Sequence, residues 1–497
     1  MPPVVLGGHA SPKMDLDLHY MPALRNYGEG EAGSKSEWRR VGRPGWTCQR
    51  DATAILGCPA ALPYTEVIER ILSLLSQDRC PPPVDRPDSE NPRIAQIGDH
   101  QVIDSPQGTS AERGPAAATA IASDPPRPPI RLGIIGTGLA AQKLHWPALA
   151  LMPQRFQIVA FANRTRSTAE EFATIAGLSM DGYTPDYGDL LARDDVEAVL
   201  VGVPIERIFP IARDCIEAGK HVISEKPPGA SEAEALEYVE LTARHPSQVV
   251  LMGEQVFYGD SRRLARSLID AGAIGQPRFF VHRVVKHEVP VPGRFSSTPW
   301  RHKPAYPGGS IVDGGVHDLA GMRLLGGDIA SLSARTEWLN KAIEAPSVLA
   351  MDFGFARNGS GSLFYGSFST PVLDEDGSTR VYGTDGNLII NRGSVRLVRA
   401  DGSVEEHVLQ GSSAFYNEFL NFYEAVAYGE PVVGTVAQSA RNMLILLRAL
   451  RAAEEERTID VRAEPWNAPA EGVPLWRPRG AVGLFDGLPV RHSIKAQ

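Results

Sequence analysis

The sequence predicts an α/β protein in which a doubly wound parallel sheet is followed by an α+β domain with a predominantly antiparallel sheet. Three observations carry that prediction. A β-branched run, IRLGII at 130–135, feeds directly into a glycine-rich turn. From there to Gly253, apolar runs of strand length alternate with helix-length segments, the order that builds a parallel sheet. Beyond Gly253 the apolar runs lengthen and are joined by turn residues, which favours antiparallel pairing.

In order, strand 130–135 leads through Gly136-Thr137-Gly138-Leu139-Ala140-Ala141 to a helix ending near Leu149. QIVAFAN then reads as strand, STAEEFATIAG as helix, VEAVLVGVP as a buried strand and RIFPIARDCIEAG as a helix closed by Gly219. HVISEKP, SEAEALEYVELTAR and QVVLMGE complete the alternation as strand, helix and strand. The second domain offers the strands PRFFVHRVVKHEV, SLSARTEWL, SVLAMDFGFAR, GSLFYGSFST, STRVYGTDGNLIIN and SVRLVRADG. Two amphipathic helices follow, one with Phe415, Phe419, Phe422 and Val426 on a stripe, the other turning Ala440, Met443, Leu447 and Leu450 inward. The expected boundaries are a low-complexity leader over 1–129, a nucleotide-binding domain over 130–252, a second domain over 253–463 and a Pro/Gly-rich surface tail over 464–497. Within the leader only Val67, Ile68, Ile71, Leu72 and Leu75 recur at helical spacing.

Composition removes several classes of function. The 497 residues are 43% hydrophobic with a net charge of -9, and no basic stripe offers the footprint that nucleic acid requires. No apolar run approaches the roughly 18 residues of a membrane span. Cys48, Cys58, Cys80 and Cys215 lack metal-ligand spacing, so free thiols in a reducing compartment, the cytoplasm, are expected.

Three segments carry chemistry. In the first turn, Gly136 permits the tight bend, Gly138 lets backbone approach a pyrophosphate and Ala141 is small enough for close helix–strand packing, so helix N-terminal amides can face the anion of a dinucleotide. About 20 residues on, where an NAD site would place a carboxylate, stand Asn163-Arg164-Thr165. A neutral amide followed by a guanidinium and a hydroxyl suits the 2′-phosphate of NADP; the alternative is a solvated Arg164 with NAD held through the Asn163 amide. Glu225-Lys226-Pro227 ends a parallel strand, where open α/β sheets place ligands. Finally, in PGGSIVDGGVHDLAGMRLLGG, Asp313 and His317 are four apart and share one face of a helix. Gly308, Gly309, Gly314 and Gly315 weaken that helix, so close approach of a ligand or another backbone is expected there. A core histidine capped by its neighbouring aspartate is the plainer account of the pair.

Together and in this order, GIIGTGLAA, HWPAL, AGKHVISEKP and GGSIVDGGVHDLAG make the chain from about Ile130 to Val461 resemble the Gfo/Idh/MocA oxidoreductases. The resemblance implies an N-terminal Rossmann domain and a C-terminal domain whose open-faced sheet serves dimer or tetramer contacts. It places Thr137, Leu139 and Ala140 in the nucleotide loop with the glycines, and Val203, Pro204, Glu225 and Lys226 on the nicotinamide side. It assigns Lys226, Asp313 and His317 to catalysis: His317 as the base that takes a hydroxyl proton, Lys226 as the cation beside the developing alkoxide, and Asp313 as the group holding Lys226 or a substrate hydroxyl. No metal is implied. Where many relatives have Thr-Pro-Asn and then His, this chain reads Val203-Pro204-Ile205-Glu206, and Ala320 stands three residues after His317 where an acid is common. Trp300-Arg301 sits where it would close on cofactor or substrate, unless the tryptophan only packs.

The resulting expectation is an NADP- or NAD-linked oxidoreductase acting on a secondary alcohol or carbonyl of a sugar, cyclitol or related polyol. Two alternatives differ in kind: a non-catalytic dinucleotide sensor contacting a regulator, and an NAD-dependent enzyme that transiently oxidises a sugar to cleave a glycoside.

Overall fold

A computed structural model describes residues 127–372, 377–411, 413–463 and 471–496. The leader reading, its apolar stripe at Val67 to Leu75 and three of the four cysteines lie outside the described residues. Cys215 is buried and free, and burial pushes its thiol up out of the reactive range.

The first sheet holds six parallel strands, β1 (Ile130–Ile135), β2 (Phe156–Ala162), β3 (Tyr183–Thr184), β4 (Ala198–Val201), β5 (His221–Glu225) and β6 (Val250–Gly253), in the order β3-β2-β1-β4-β5-β6. Helices cross between them: a π-helical turn Ala141–His145 running into α1 (Trp146–Leu149), then α2 (Arg166–Ala176), α3 (Tyr187–Leu191), α4 (Ile205–Glu217) and α5 (Glu232–Arg244). The order reverses between β1 and β4, and ligands of such sheets bind in the crevice at that switch point. Both faces are covered, which is why the strands read as unbroken apolar runs and not as alternations.

The second sheet has ten strands in the order β15-β8-β9-β10-β7-β11-β12-β13-β14-β16. They are β7 (Pro277–His287), β8 (Ile329–Glu337), β9 (Val348–Phe355), β10 (Ser360–Phe368), β11 (Thr379–Gly383), β12 (Gly386–Asn391), β13 (Ser394–Arg399), β14 (Val404–Gln410), β15 (Ile459–Asp460) and β16 (Arg491–Ala496). All pairings are antiparallel except β7 with β10. One face is covered by α6 (Asp260–Asp270), α8 (Gly309–Gly326) and α10 (Val436–Glu454); α9 (Ala414–Tyr428) instead returns to pack on the first sheet, and α7 (Pro299–His302) precedes α8. The segment expected to wrap the surface as a tail departs from that reading in part: Val473 and Trp476 are buried, Arg263 stacks on the Trp476 ring at 4.7 Å, and the chain ends in β16 against β14. An aromatic side chain in a proline-rich segment gains more from burial than that segment loses in an already stiff backbone.

Candidate active site

The turn after β1 is fixed by Gly136, whose φ of 92° and the 2.3 Å between an added Cβ and the Gly202 carbonyl exclude any other residue. A Cβ at Gly138 would meet open space, so the backbone there is approachable. Asn163 braces the loop: its Oδ1 accepts from the Thr137 amide at 3.2 Å and its Nδ2 donates to the Thr165 carbonyl at 2.8 Å. Gly136, Gly138, Asn163, Arg164, Thr165, Val203 and Pro204 line one cavity of about 500 Å³. Thr137 is buried beneath it, and Leu139 and Ala140 begin the following helix half-buried. The depth, the glycine approach and the helix start suit a dinucleotide. Arg207, which the sequence did not single out, lines the same cavity, and among the described residues neither it nor Arg164 makes an ion pair.

Asp313 and His317 lie on α8, and Lys226 follows β5. Lys226 Nζ donates to Asp313 Oδ1 at 3.0 Å and to its backbone carbonyl at 2.6 Å, while Arg301 Nε donates to Asp313 Oδ2 at 2.7 Å. Burial alone would push the Asp313 carboxyl up, but the two cations overcome it and hold it well below the ordinary carboxylate range. The Arg301 guanidinium also lies 4.0 Å from the Trp300 ring centre, so the tryptophan orients the arginine. His317 Nδ1 lies 2.6 Å from Oε1 of Glu254, a fully buried carboxyl just past β6. Glu225 is held by His145, Nε2 to Oε1 at 2.8 Å.

Beside Asp313 a narrower cleft is lined by Lys286, Glu288, Arg301, Ser310 and Tyr365. The hydroxyls of Ser310 and Tyr365 are buried there, that of Ser310 without a partner and that of Tyr365 beside the Lys286 ammonium. Lys286 bonds Glu288 at 2.9 Å; burial would lower its ammonium, yet Tyr365 and Glu288 hold it above its ordinary value, and burial pushes the Tyr365 phenol up to about 12. Two glycines of α8 make room for side chains of this sheet: a Cβ on Gly314 would stand 2.8 Å from the Tyr365 hydroxyl, and one on Gly326 would strike the Phe355 ring.

Glu254, His145 and Arg207 were missed from sequence. Glu254 carried the one available signal, an acid at the carboxyl end of a parallel strand, the position that singled out Lys226. Among the described residues no helix is long and apolar enough to cross a membrane, and no cluster of three metal-ligating side chains occurs.

Residues 130–253 match the oxidoreductase family with an NAD-binding Rossmann fold, and residues 263–389 match the GFO/IDH/MocA C-terminal domain. An oxidoreductase of Thermotoga maritima is 30% identical, superposes with a TM-score of 0.62, and is covered over 99% of its length by 67% of this chain. A dTDP-3,4-didehydro-2,6-dideoxy-alpha-D-glucose 3-reductase of Streptomyces violaceoruber is 28% identical over 60% of this chain and 85% of its own. A levoglucosan dehydrogenase in complex with NADH and levoglucosan, 20% identical, shares the fold with a TM-score of 0.59 over 67% of this chain and 99% of its own. With both halves of the architecture matched in order, the chain belongs to the Gfo/Idh/MocA family of NAD(P)-dependent oxidoreductases.

Proposed function

We propose that the protein moves a hydride between NADP and a secondary alcohol or carbonyl of a sugar, cyclitol or related polyol. The observation that carries the reading is the Lys226–Asp313–Arg301 cluster, one α-helical turn from His317 and beside a cleft whose buried Ser310 hydroxyl has no partner among the described residues. A buried hydroxyl left unpaired costs about 1–3 kcal/mol, which a polyhydroxylated substrate would recover by bonding to it. The reductase that resembles this chain acts on a dideoxy-sugar nucleotide, which supports the substrate class.

The glycine turn and the Asn163–Thr165 loop would hold the dinucleotide, which when bound supplies or accepts the hydride. In the oxidative direction His317 takes the substrate hydroxyl proton. The Lys226 ammonium, kept in place by both oxygens it meets on Asp313, steadies the charge that develops on the alkoxide oxygen. In reduction the same histidine returns the proton. Arg164 and Arg207 favour the 2′-phosphate form, since two unpaired guanidiniums beside the ribose end attract an anion that NAD lacks. The outward face of the second sheet exposes Phe279 and Tyr382, which oppose each other on β7 and β11, and this face would cover a second copy of the chain.

Fluorescence titration with NADPH, NADH, NADP and NAD, then absorbance at 340 nm against a panel of sugars and polyols, tests the reading. Tighter binding of NADPH than NADH, a redox change with one polyol class, and about tenfold weaker NADPH binding in Arg164→Ala with NADH unaffected are expected. Tight binding with no redox change across the panel would move the protein to the sensor class.

A further inference from the structure

Behind His317 lies a set of buried acids that the proton transfer above does not use. Glu254 offers Oε1 to His317 Nδ1 at 2.6 Å, and its Oε2 is buried with no hydrogen-bond partner. On the adjacent strand Glu225, in register with Gly253, bonds His145 at 2.8 Å. The third acid, Glu418 on α9, is 0% exposed and neither oxygen has a partner. Its helix neighbours Phe415 and Phe419 set their rings edge-on to His145 at 5.7 and 5.8 Å, so the face of α9 that carries Glu418 is laid against the His145–Glu225 pair. Other groups that act on these acids are Lys226, whose amide donates to Glu225 Oε2 at 3.2 Å and whose charge, with that of His317, reaches Glu225; Arg262 of α6, whose charge reaches Glu254; and the Tyr258 phenol, which bonds Asn421 and the Gly434 amide.

Three carboxyls sharing one buried space cannot all be charged. Glu225 has the His145 imidazole and Lys226, and Glu254 has His317 and Arg262, but among the described residues no cation acts on Glu418. Burial first, then the proximity of Glu225 and Glu254, pushes the Glu418 carboxyl well above the ordinary range. It is the neutral member of the set.

We propose that Glu254 is the positioning residue for His317: its carboxylate accepts a hydrogen bond from Nδ1–H and so fixes the tautomer with Nε2 bare. When a substrate hydroxyl gives its proton to Nε2, the imidazolium forms beside an anion already in place, and the Nδ1 proton stays where it is. Glu254 touches no reacting atom and acts only through His317. The kinetic consequence rests on the dehydrogenase reading; the tautomer does not.

The test is the ¹⁵N spectrum of the full chain labelled in its histidine rings, with the His317 signals identified by their loss in His317→Gln. At pH 8 the wild type should show Nδ1 protonated and Nε2 bare. Glu254→Gln, whose amide donates to Nδ1, should reverse the tautomer, and Glu418→Gln should leave it unchanged. On a substrate turned over by the wild type, Glu254→Gln should lower kcat for alcohol oxidation by about 100-fold with KM within about threefold, and move the acid limb of the pH profile downward, because the imidazolium has lost its anion. Glu418→Gln should keep the wild-type profile at neutral pH. A wild-type His317 protonated at Nε2 would overturn the proposal without any variant, as would Glu418→Gln reproducing the loss in Glu254→Gln. A wild type that oxidises no polyol yet shows the expected tautomer would sink the function and leave the positioning role standing.

Discussion

Asp313 is the residue on which the site converges, because it holds both Lys226 and Arg301. Its carboxyl is depressed in the folded chain, so the stability it contributes is fully present above the unfolded value and is lost as pH falls through the folded one. Melting temperatures of wild type and Asp313→Asn should therefore differ by a constant amount from pH 5 to 8 and converge as pH drops below about 4. A gap that instead grew on acidification would mean the carboxyl is not ion-paired. Lys226, Asp313 and His317 were singled out in sequence by a strand end, a four-residue spacing and the family resemblance, and the structure brings Lys226 onto Asp313. Their partners were not legible locally. Lys226 and Asp313 are 87 residues apart, His317 and Glu254 are 63 apart, and no local pattern joins residues at such distances.

At the level of elements, α8 and α10 are tied by a buried ionic knot. Asp328, 1% exposed, accepts from Arg323 at 2.7 Å and from Arg441 at 2.7 Å, and both guanidiniums are themselves buried. Replacing the aspartate removes the carboxylate that these two buried cations share, and breaking such a pair costs about 3–5 kcal/mol. Asp328→Ala should lower the unfolding free energy from urea titration by that amount, whereas the triple change Asp328→Leu, Arg323→Met, Arg441→Met should recover most of it. Failure of the triple variant to recover would mean that the knot also sets how the two helices meet. The helix containing Asp313 and His317 was predicted within the sequence limits, since its apolar and functional positions keep one period. A ligand or another backbone was expected to approach its glycines; at Gly314 the neighbour is instead the Tyr365 side chain, fixed only when β10 takes its place beside β7.

For the whole molecule, the ten-stranded sheet has one face under helices and one that carries Phe279 and Tyr382 in the open. Light scattering behind size exclusion should report a dimer or tetramer, and Phe279→Lys should shift it toward monomer, because a charge on the apolar face adds a desolvation cost to both copies. A wild-type monomer at micromolar concentration would remove this face from consideration as an interface.

What the sequence determined by itself depends on local period: the parallel domain, most of the antiparallel domain, the tight turn at Gly136 and Gly138, and the helix bearing Asp313 and His317. Strand and helix periods, a glycine with positive φ and a lysine at a strand end are properties of a few consecutive residues. What only the tertiary structure decided was which groups face one another across the molecule: Arg301 on Asp313, Glu254 on His317, His145 on Glu225, and Trp476 and the last strand closing the body. Those choices come from burying charge and apolar surface together, where a buried acid persists only if a distant cation, donor or shared proton meets it, and such partners are set by packing and not by sequence distance.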